Sequence, residues 1–235
     1  MTGLRLPIGL LACACALALP ALTLALPRST STYLLGAKMI RAEIALKSAD
    51  GINHDFRIDR GRLKKRYGGG SLTLVERDGT KVTLKVAATA RVLLNGKPAT
   101  VRGLRPGMQV AVPRDGDSPA AAVYAGSGKA APTIPYATVS YLLGDRMMRA
   151  EIGLRSSDGV VHDYLLDHGK VRQVGAYSLT LREADGTMVT IGVAATARVK
   201  LNGRIASFAQ LRKGMTATTM HDGDKLADQI WATGK

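Results

Sequence analysis

From residue 40 onward, apolar side chains fall on alternate positions. Ile40, Ala42, Ile44 and Leu46 alternate with Arg41, Glu43 and Lys47. After the turn Ser48-Ala49-Asp50-Gly51, the residues Ile52, His54, Phe56 and Ile58 alternate with Asn53, Asp55, Arg57 and Asp59. Period two predicts strands with one face in a core. The same rhythm continues through Leu72 and Leu74, then Val82, Leu84 and Val86, then Ala90, Val92 and Leu94. Asp78-Gly79 and Asn95-Gly96 punctuate these runs, and both dipeptides accept the positive φ of tight hairpins. Leu104-Arg105-Pro106-Gly107-Met108 reads as a short turn leading into another strand, and AAAVYAG as the last one. About seven short strands are predicted, with no long helix beyond the first 27 residues.

The pattern is then written a second time. YLLGAKMIRAEIALKSADG returns as YLLGDRMMRAEIGLRSSDG, SLTLVERDGTKVT as SLTLREADGTMVT, and VAATARVLLNG as VAATARVKLNG, about 107 positions later. Between the copies lies an Ala-, Gly- and Pro-rich stretch, which reads as an extended linker. A period of this length is the size of a small domain. The expectation is an all-β chain of two tandem small β-barrels or compact β-sandwiches, at residues 33–125 and 141–235, with a linker at 126–140. Closure would remove exposed strand edges. Val75, Lys85 and Leu93 become Arg182, Gly192 and Lys200, all at positions predicted to face outward.

The order S-L-T-L, D-G-T, V-T, V-A-A-T-A-R-V, N-G, L-R-x-G-M, D-G-D resembles a family of exported bacterial β-domains. These are small OB-like barrel repeats with no agreed activity. The resemblance covers residues 60–125 and 170–232 and leaves the preceding hairpins as an addition. It implies a barrel and transfers no catalytic residue.

The N-terminus alters the picture by fixing a compartment. Arg5 precedes an uncharged apolar run over residues 6–26, the order of an export signal. Residues 1–27 are expected to act as a cleaved signal peptide or, since the run is nearly long enough to span a bilayer, as a retained or lipidated anchor. The body is then secreted or extracytoplasmic, facing the outer side of the cytoplasmic membrane, and membrane contact is expected only through this segment. Both cysteines, Cys13 and Cys15, fall inside it, so the body has no thiol for a disulfide, a metal site or a nucleophile.

Candidate chemistry is thin. His54-Asp55 and His162-Asp163 are adjacent strand residues and point to opposite faces, so neither pair acts as a unit. Asp115-Gly116-Asp117 and Asp222-Gly223-Asp224 read as turns, because calcium needs six to eight oxygen ligands. No hydrolase motif is visible, and the expectation is a non-enzyme with no cofactor, metal or catalytic residue.

Charge is the feature that remains. The chain carries a formal +15. Residues 33–128 hold 17 Lys/Arg against 8 Asp/Glu, and residues 141–235 hold 13 against 10. The excess sits on the first copy, and its densest part is RGRLKKR. Arg57, Arg60, Arg62, Lys64, Lys65, Arg66, Lys81 and Lys85 are expected to form a cationic face for an anionic envelope polymer or lipid headgroups. Aromatics are only 4% of the chain, which disfavours nucleic acid and sugar stacking. In the second copy Val161 and Leu165 replace Asn53 and Arg57, and this apolar pair is expected to contact the first domain or a partner protein. The expected function is therefore an envelope-associated binding or scaffold module. The alternatives are a spacer with no ligand, or less favoured, an envelope hydrolase sited between the copies.

Overall fold

The computed structural model describes residues 25–128 and 130–234; most of the apolar export run lies outside these residues. The first copy contains α1 (Arg28–Leu34), β1 (Met39–Lys47), β2 (Asn53–Arg66), β3 (Ser71–Glu76), β4 (Lys81–Leu94), β5 (Lys97–Ala99), β6 (Gln109–Asp115) and β7 (Ala120–Gly126). The second repeats the order with α2 (Tyr136–Leu142), β8 (Met147–Arg155), β9 (Val161–Val174), β10 (Ser178–Arg182), β11 (Met188–Leu201), β12 (Arg204–Ala206), β13 (Thr216–Asp222) and β14 (Ala227–Thr233). The chain is mostly β, and all its strands belong to one large mixed sheet. Asn95 (φ 53°) and Gly96 (φ 78°) form the turn after β4, and Asn202 (φ 52°) and Gly203 (φ 79°) its counterpart. These are the left-handed pairs a two-residue hairpin demands. Among the described residues, no helix is long and apolar enough to cross a membrane.

Within each copy five strands close on themselves. In the first copy the antiparallel pairs are β2–β3, β3–β4, β7–β6 and β6–β2, and the parallel pair β4–β7 completes the ring. The second copy pairs β9, β10, β11, β14 and β13 in the same way. Each ring encloses its own apolar cluster. Leu63, Leu72, Leu74, Val110 and Val123 fill the first, and Val171, Leu179, Leu181, Ala217 and Ile230 the second. Leu72 and Leu74 are among the alternate residues that the hydrophobic rhythm assigns inward.

The hairpins preceding the rings join the copies. β1 pairs with β8 antiparallel, so β2, β1, β8 and β9 make a central four-stranded sheet. Glu43 lies opposite Glu151 in the middle of that junction. Ala42, Ile44, Ile152 and Leu154 point to one face, where Leu34, Leu35, Leu142 and Leu143 of the two helical segments cover them. This third cluster takes residues from both copies. The other face is polar and open.

The helical arms are exchanged. The Thr218 hydroxyl of β13 donates to the carbonyl of Ala25, ahead of α1, at 3.0 Å. Arg60 of β2 donates to Pro132 O, ahead of α2, at 2.9 Å. Tyr141 of α2 packs edge-on against Phe56 at 5.9 Å. The stretch 126–140, read as a linker, starts at the last residue of β7, crosses the first ring and enters α2. This explains a departure from the expected pattern. Leu93 does not face solvent but is 9% exposed, in one cluster with Ala111, Tyr124 and Ile134. Its counterpart Lys200 is exposed, in a groove that it shares with Ala25, Leu26, Pro27 and Arg28 of the other arm. Ile52, expected inward, is 56% exposed, because the strand begins only at Asn53.

Ring closure depends on two glycines. A Cβ at Gly61 would stand 2.5 Å from Val75 O, and one at Gly169 2.4 Å from Arg182 O. At these points β2 and β9 leave the central sheet and curl into their rings. Gly61→Ala and Gly169→Ala are each expected to lose about 1–3 kcal/mol by overpacking against backbone that cannot yield. Urea denaturation checks this; wild-type midpoints would contradict it.

Candidate functional site

The sequence-predicted cationic residues divide into three groups. Arg62, Lys64, Lys65, Arg66, Lys81 and Lys85 are exposed. Strand register brings four of them onto one face: Arg62 pairs with Val75 and Val75 with Lys81, Lys65 pairs with Thr73, and Ser71 with Lys85. The outer surface of β2–β3–β4 thus carries Arg62 and Lys65 along one margin and Lys81 and Lys85 along the other. Thr73 lies between the margins and is hydrogen-bonded at 2.7 Å to Thr83, which stands between Lys81 and Lys85. A shift in register at Lys64 turns the strand, so that Lys64, Lys65 and Arg66 are exposed consecutively. The ammonium of Lys65 lies 4.6 Å over the ring of Tyr67, itself 42% exposed. None of the six takes part in an ion pair among the described residues.

Arg60 is a correction. It is 3% exposed and donates to Pro132 O and, at 3.2 Å, to Leu35 O, so it joins no surface. Burial, with Arg77 nearby, pushes its guanidinium down to about 10. Alternation failed here because what is outside the ring is covered by the crossing chain. Arg57 is a second correction. It faces the open side of the central sheet, 3.6 Å from Glu43, 3.9 Å from Asp55 and 3.2 Å from Asp117, and is neutralised there.

Val161 and Leu165 occupy the same face of β9. Val161 is 46% exposed at the hairpin end, opposite Arg155. Leu165 is half-buried beside Glu43, Ala45 and Asp55 of the first copy, in a groove of about 540 Å³.

Three polar clusters were not legible as sites. Arg41 grips the buried Glu76 at 2.8 Å and also reaches Asp78, tying β1 to the β3–β4 turn. Arg149 holds Glu183 and Asp185 in the same way. Burial pushes the Glu76 and Glu183 carboxyls up, against the pull of their arginines. Their identity in both copies was the available signal. The histidines form the third feature. His54 Nδ1 meets Asp115 Oδ2 at 2.6 Å and His162 Nδ1 meets Asp222 Oδ2 at 2.9 Å, while the adjacent Asp55 and Asp163 point away. These contacts tie the start of β2 or β9 to the end of β6 or β13. In the first copy His54 Nε2 also lies 3.1 Å from Ser48 Oγ, a nucleophile-like arrangement. Yet that hydroxyl has one proton and faces three acceptors, including the Asp50 carboxylate and Ile52 O. In the second copy Ser156 reaches only Asp158 and Val160 O. The carboxylates of the first Asp-Gly-Asp turn are engaged by basic side chains, Asp115 by His54 and Asp117 by Arg57 and Arg114.

His168 stands where the first copy has Arg60. It is 8% exposed, with Nδ1 2.8 Å from the Thr218 hydroxyl. Burial pushes its imidazole down to about 4, only partly opposed by Asp145.

Comparison of the chain with family models, curated proteins and solved structures finds no match.

The buried imidazole generates a pH prediction. The unfolded ring takes up its proton near pH 6.5 and the folded ring near 4, so the unfolded state binds more protons between these values. Stability therefore falls as pH drops through that window. Relative to His168→Gln, wild type is expected to lose on the order of 2–3 kcal/mol from pH 6.5 to pH 4. Parallel stability–pH curves for the two proteins would show the ring to be accessible to protons.

Proposed function

We propose that this is an exported, non-catalytic, envelope-associated protein of two tandem OB-like barrels. The first barrel holds an anionic polymer on the outer face of β2–β3–β4. The observation that carries the reading is the arrangement of Arg62, Lys65, Lys81 and Lys85. Four cations without carboxylate partners among the described residues border a strip of Ser71, Thr73, Val75 and Thr83. Hydroxyls and ammonium groups are donors suited to phosphate or carboxylate oxygens. Across two strands and along four residues the patch measures roughly 10 by 13 Å, long enough for more than one charge of a chain. The ring order of each copy supports the barrel reading, and the outer face of the second and third barrel strands is where OB-type barrels take extended polymers. Tyr67 is the single aromatic beside the patch, and base-stacking platforms need several, so sequence-indifferent anions with flexible backbones fit better than nucleic acid.

The second copy keeps only part of the patch, with Lys170 and Arg182 standing where Arg62 and Val75 do. Gly192 and Met188 stand where Lys85 and Lys81 do, and Gln173 takes the position of Lys65 opposite Thr180. A spacer without ligand remains the second reading, supported by the continuous sheet through β1 and β8.

Retention on isolated envelope separates the two readings. Replacing Arg62, Lys64, Lys65 and Arg66 by Gln is expected to abolish retention at low salt, and wild type is expected to elute as salt rises. Equal retention of both proteins at low salt removes the electrostatic reading. Arg60→Ala should leave retention intact but lower stability by about 1–3 kcal/mol, since the Leu35 and Pro132 carbonyls lose their donor.

A further inference from the structure

The polar face of the central sheet has a pseudo-twofold axis between Glu43 and Glu151, and the two sides differ in their guanidinium groups. On the first side, four carboxylates surround two guanidinium groups. Arg57 lies against Glu43, Asp55 and Asp117, and Arg114 against Asp59, at 3.2 Å, and Asp117, at 3.5 Å. On the second side the four carboxylates are retained as Glu151, Asp163, Asp167 and Asp224. The two arginines are replaced, Arg57 by Leu165 and Arg114 by His221. Strand register shows the exchange directly: Glu43 is opposite Arg57, whereas Glu151 is opposite Leu165.

A groove opens where the guanidinium groups are lost. It has a volume of about 540 Å³ and is bordered by Glu151, Asp167, Asp224, Leu165, Leu166 and Ile191. Gly192, in place of Lys85, is part of the opening, and Leu226 folds down onto it, 2.6 Å from where a Cβ would stand. Two cations also border the groove but are already held elsewhere. Arg149 is bound by Glu183 and Asp185, and Lys225 by Asp222 at 2.6 Å. His221 makes only a 3.9 Å approach to Asp167 and gives its Nδ1 to Gly223 O at 2.6 Å. Burial pushes the Asp167 carboxyl up, against the pull of His221 and Arg149.

We infer that the groove between β8–β9 and β11 is a binding site for an aliphatic organic cation, a guanidinium or ammonium group on a hydrocarbon stem. The head takes the place that Arg57 fills on the first side, against Glu151 and Asp224, and the stem lies on Leu165 and Ile191. The first copy serves as the internal precedent, with the cation supplied by its own chain. A free small amine and an arginine side chain of another protein share this chemistry.

Titration calorimetry on the full protein at low salt tests the site with two probes, agmatine and an end-blocked Gly-Arg-Gly peptide. Saturable one-to-one binding, weakening at least about tenfold as salt rises, is expected for one or both. Tighter agmatine binding assigns the site to small amines, and tighter peptide binding to a protein side chain. Leu165→Arg restores the built-in guanidinium and is expected to abolish binding while keeping or raising the Tm. Should that variant fail to fold, Glu151→Gln and Asp224→Asn, both changes of open polar residues, should each weaken binding about tenfold. No saturable heat with wild type, or wild-type affinity in the folded variants, overturns the inference. Neither result touches the cationic patch, which lies on β2–β3–β4.

Discussion

The structure turns on the antiparallel pairing of β1 with β8. Each ring has an interior of its own, but the third apolar cluster exists only because these two strands meet. Without the pairing, Ile44 and Ile152 would each sit on an uncovered hairpin, and the arms ahead of the copies would have no shared floor to cover. The junction also places Glu43 directly against Glu151. Directly opposed like charges destabilise a sheet, by up to about 1 kcal/mol. Arg57 relieves this on one side only. The apolar face therefore holds the junction together, while the opposite face keeps a local excess of negative charge in a strongly basic chain.

Two surfaces of opposite sign follow from one duplicated pattern. The basic patch arises because β2 and β4 of the first copy carry Lys65, Lys81 and Lys85 where the second copy has Gln173, Met188 and Gly192. The acidic groove arises because the second copy kept its carboxylates and lost its arginines. Neither set of changes touches an inward residue, so both leave the ring interiors intact. Outward positions on a strand are free to change in this way because their packing contributes little to the core.

Strand rhythm and turn chemistry were legible from the sequence because they are local. Leu72 and Leu74 face inward and Asn95-Gly96 turns left-handed for reasons contained within a few residues. The exposure of Lys81 and Lys85 was legible for the same reason. Arg60 and Leu93 were misread because their environment is set by a segment that crosses from tens of residues away. Arg57 was misread because its partners, Glu43 and Asp117, are brought to it by β1 and by the turn after β6. The buried Glu76 and Glu183 were visible as identities between copies, but a turn beginning with Glu offers no hint that an arginine on another strand will close over it.

The exchanged arms carry an evolutionary consequence. One copy paired with a twin would place each arm on its partner and set the same glutamate against itself across the axis, so the present chain has the geometry of a symmetric dimer fused end to end. In a true homodimer every substitution appears twice, and losing the arginine at position 57 would empty both sides together. Fusion gives each half its own heredity. It lets one half hold an internal cation while the other goes without, an asymmetry that two identical copies paired about an axis cannot hold.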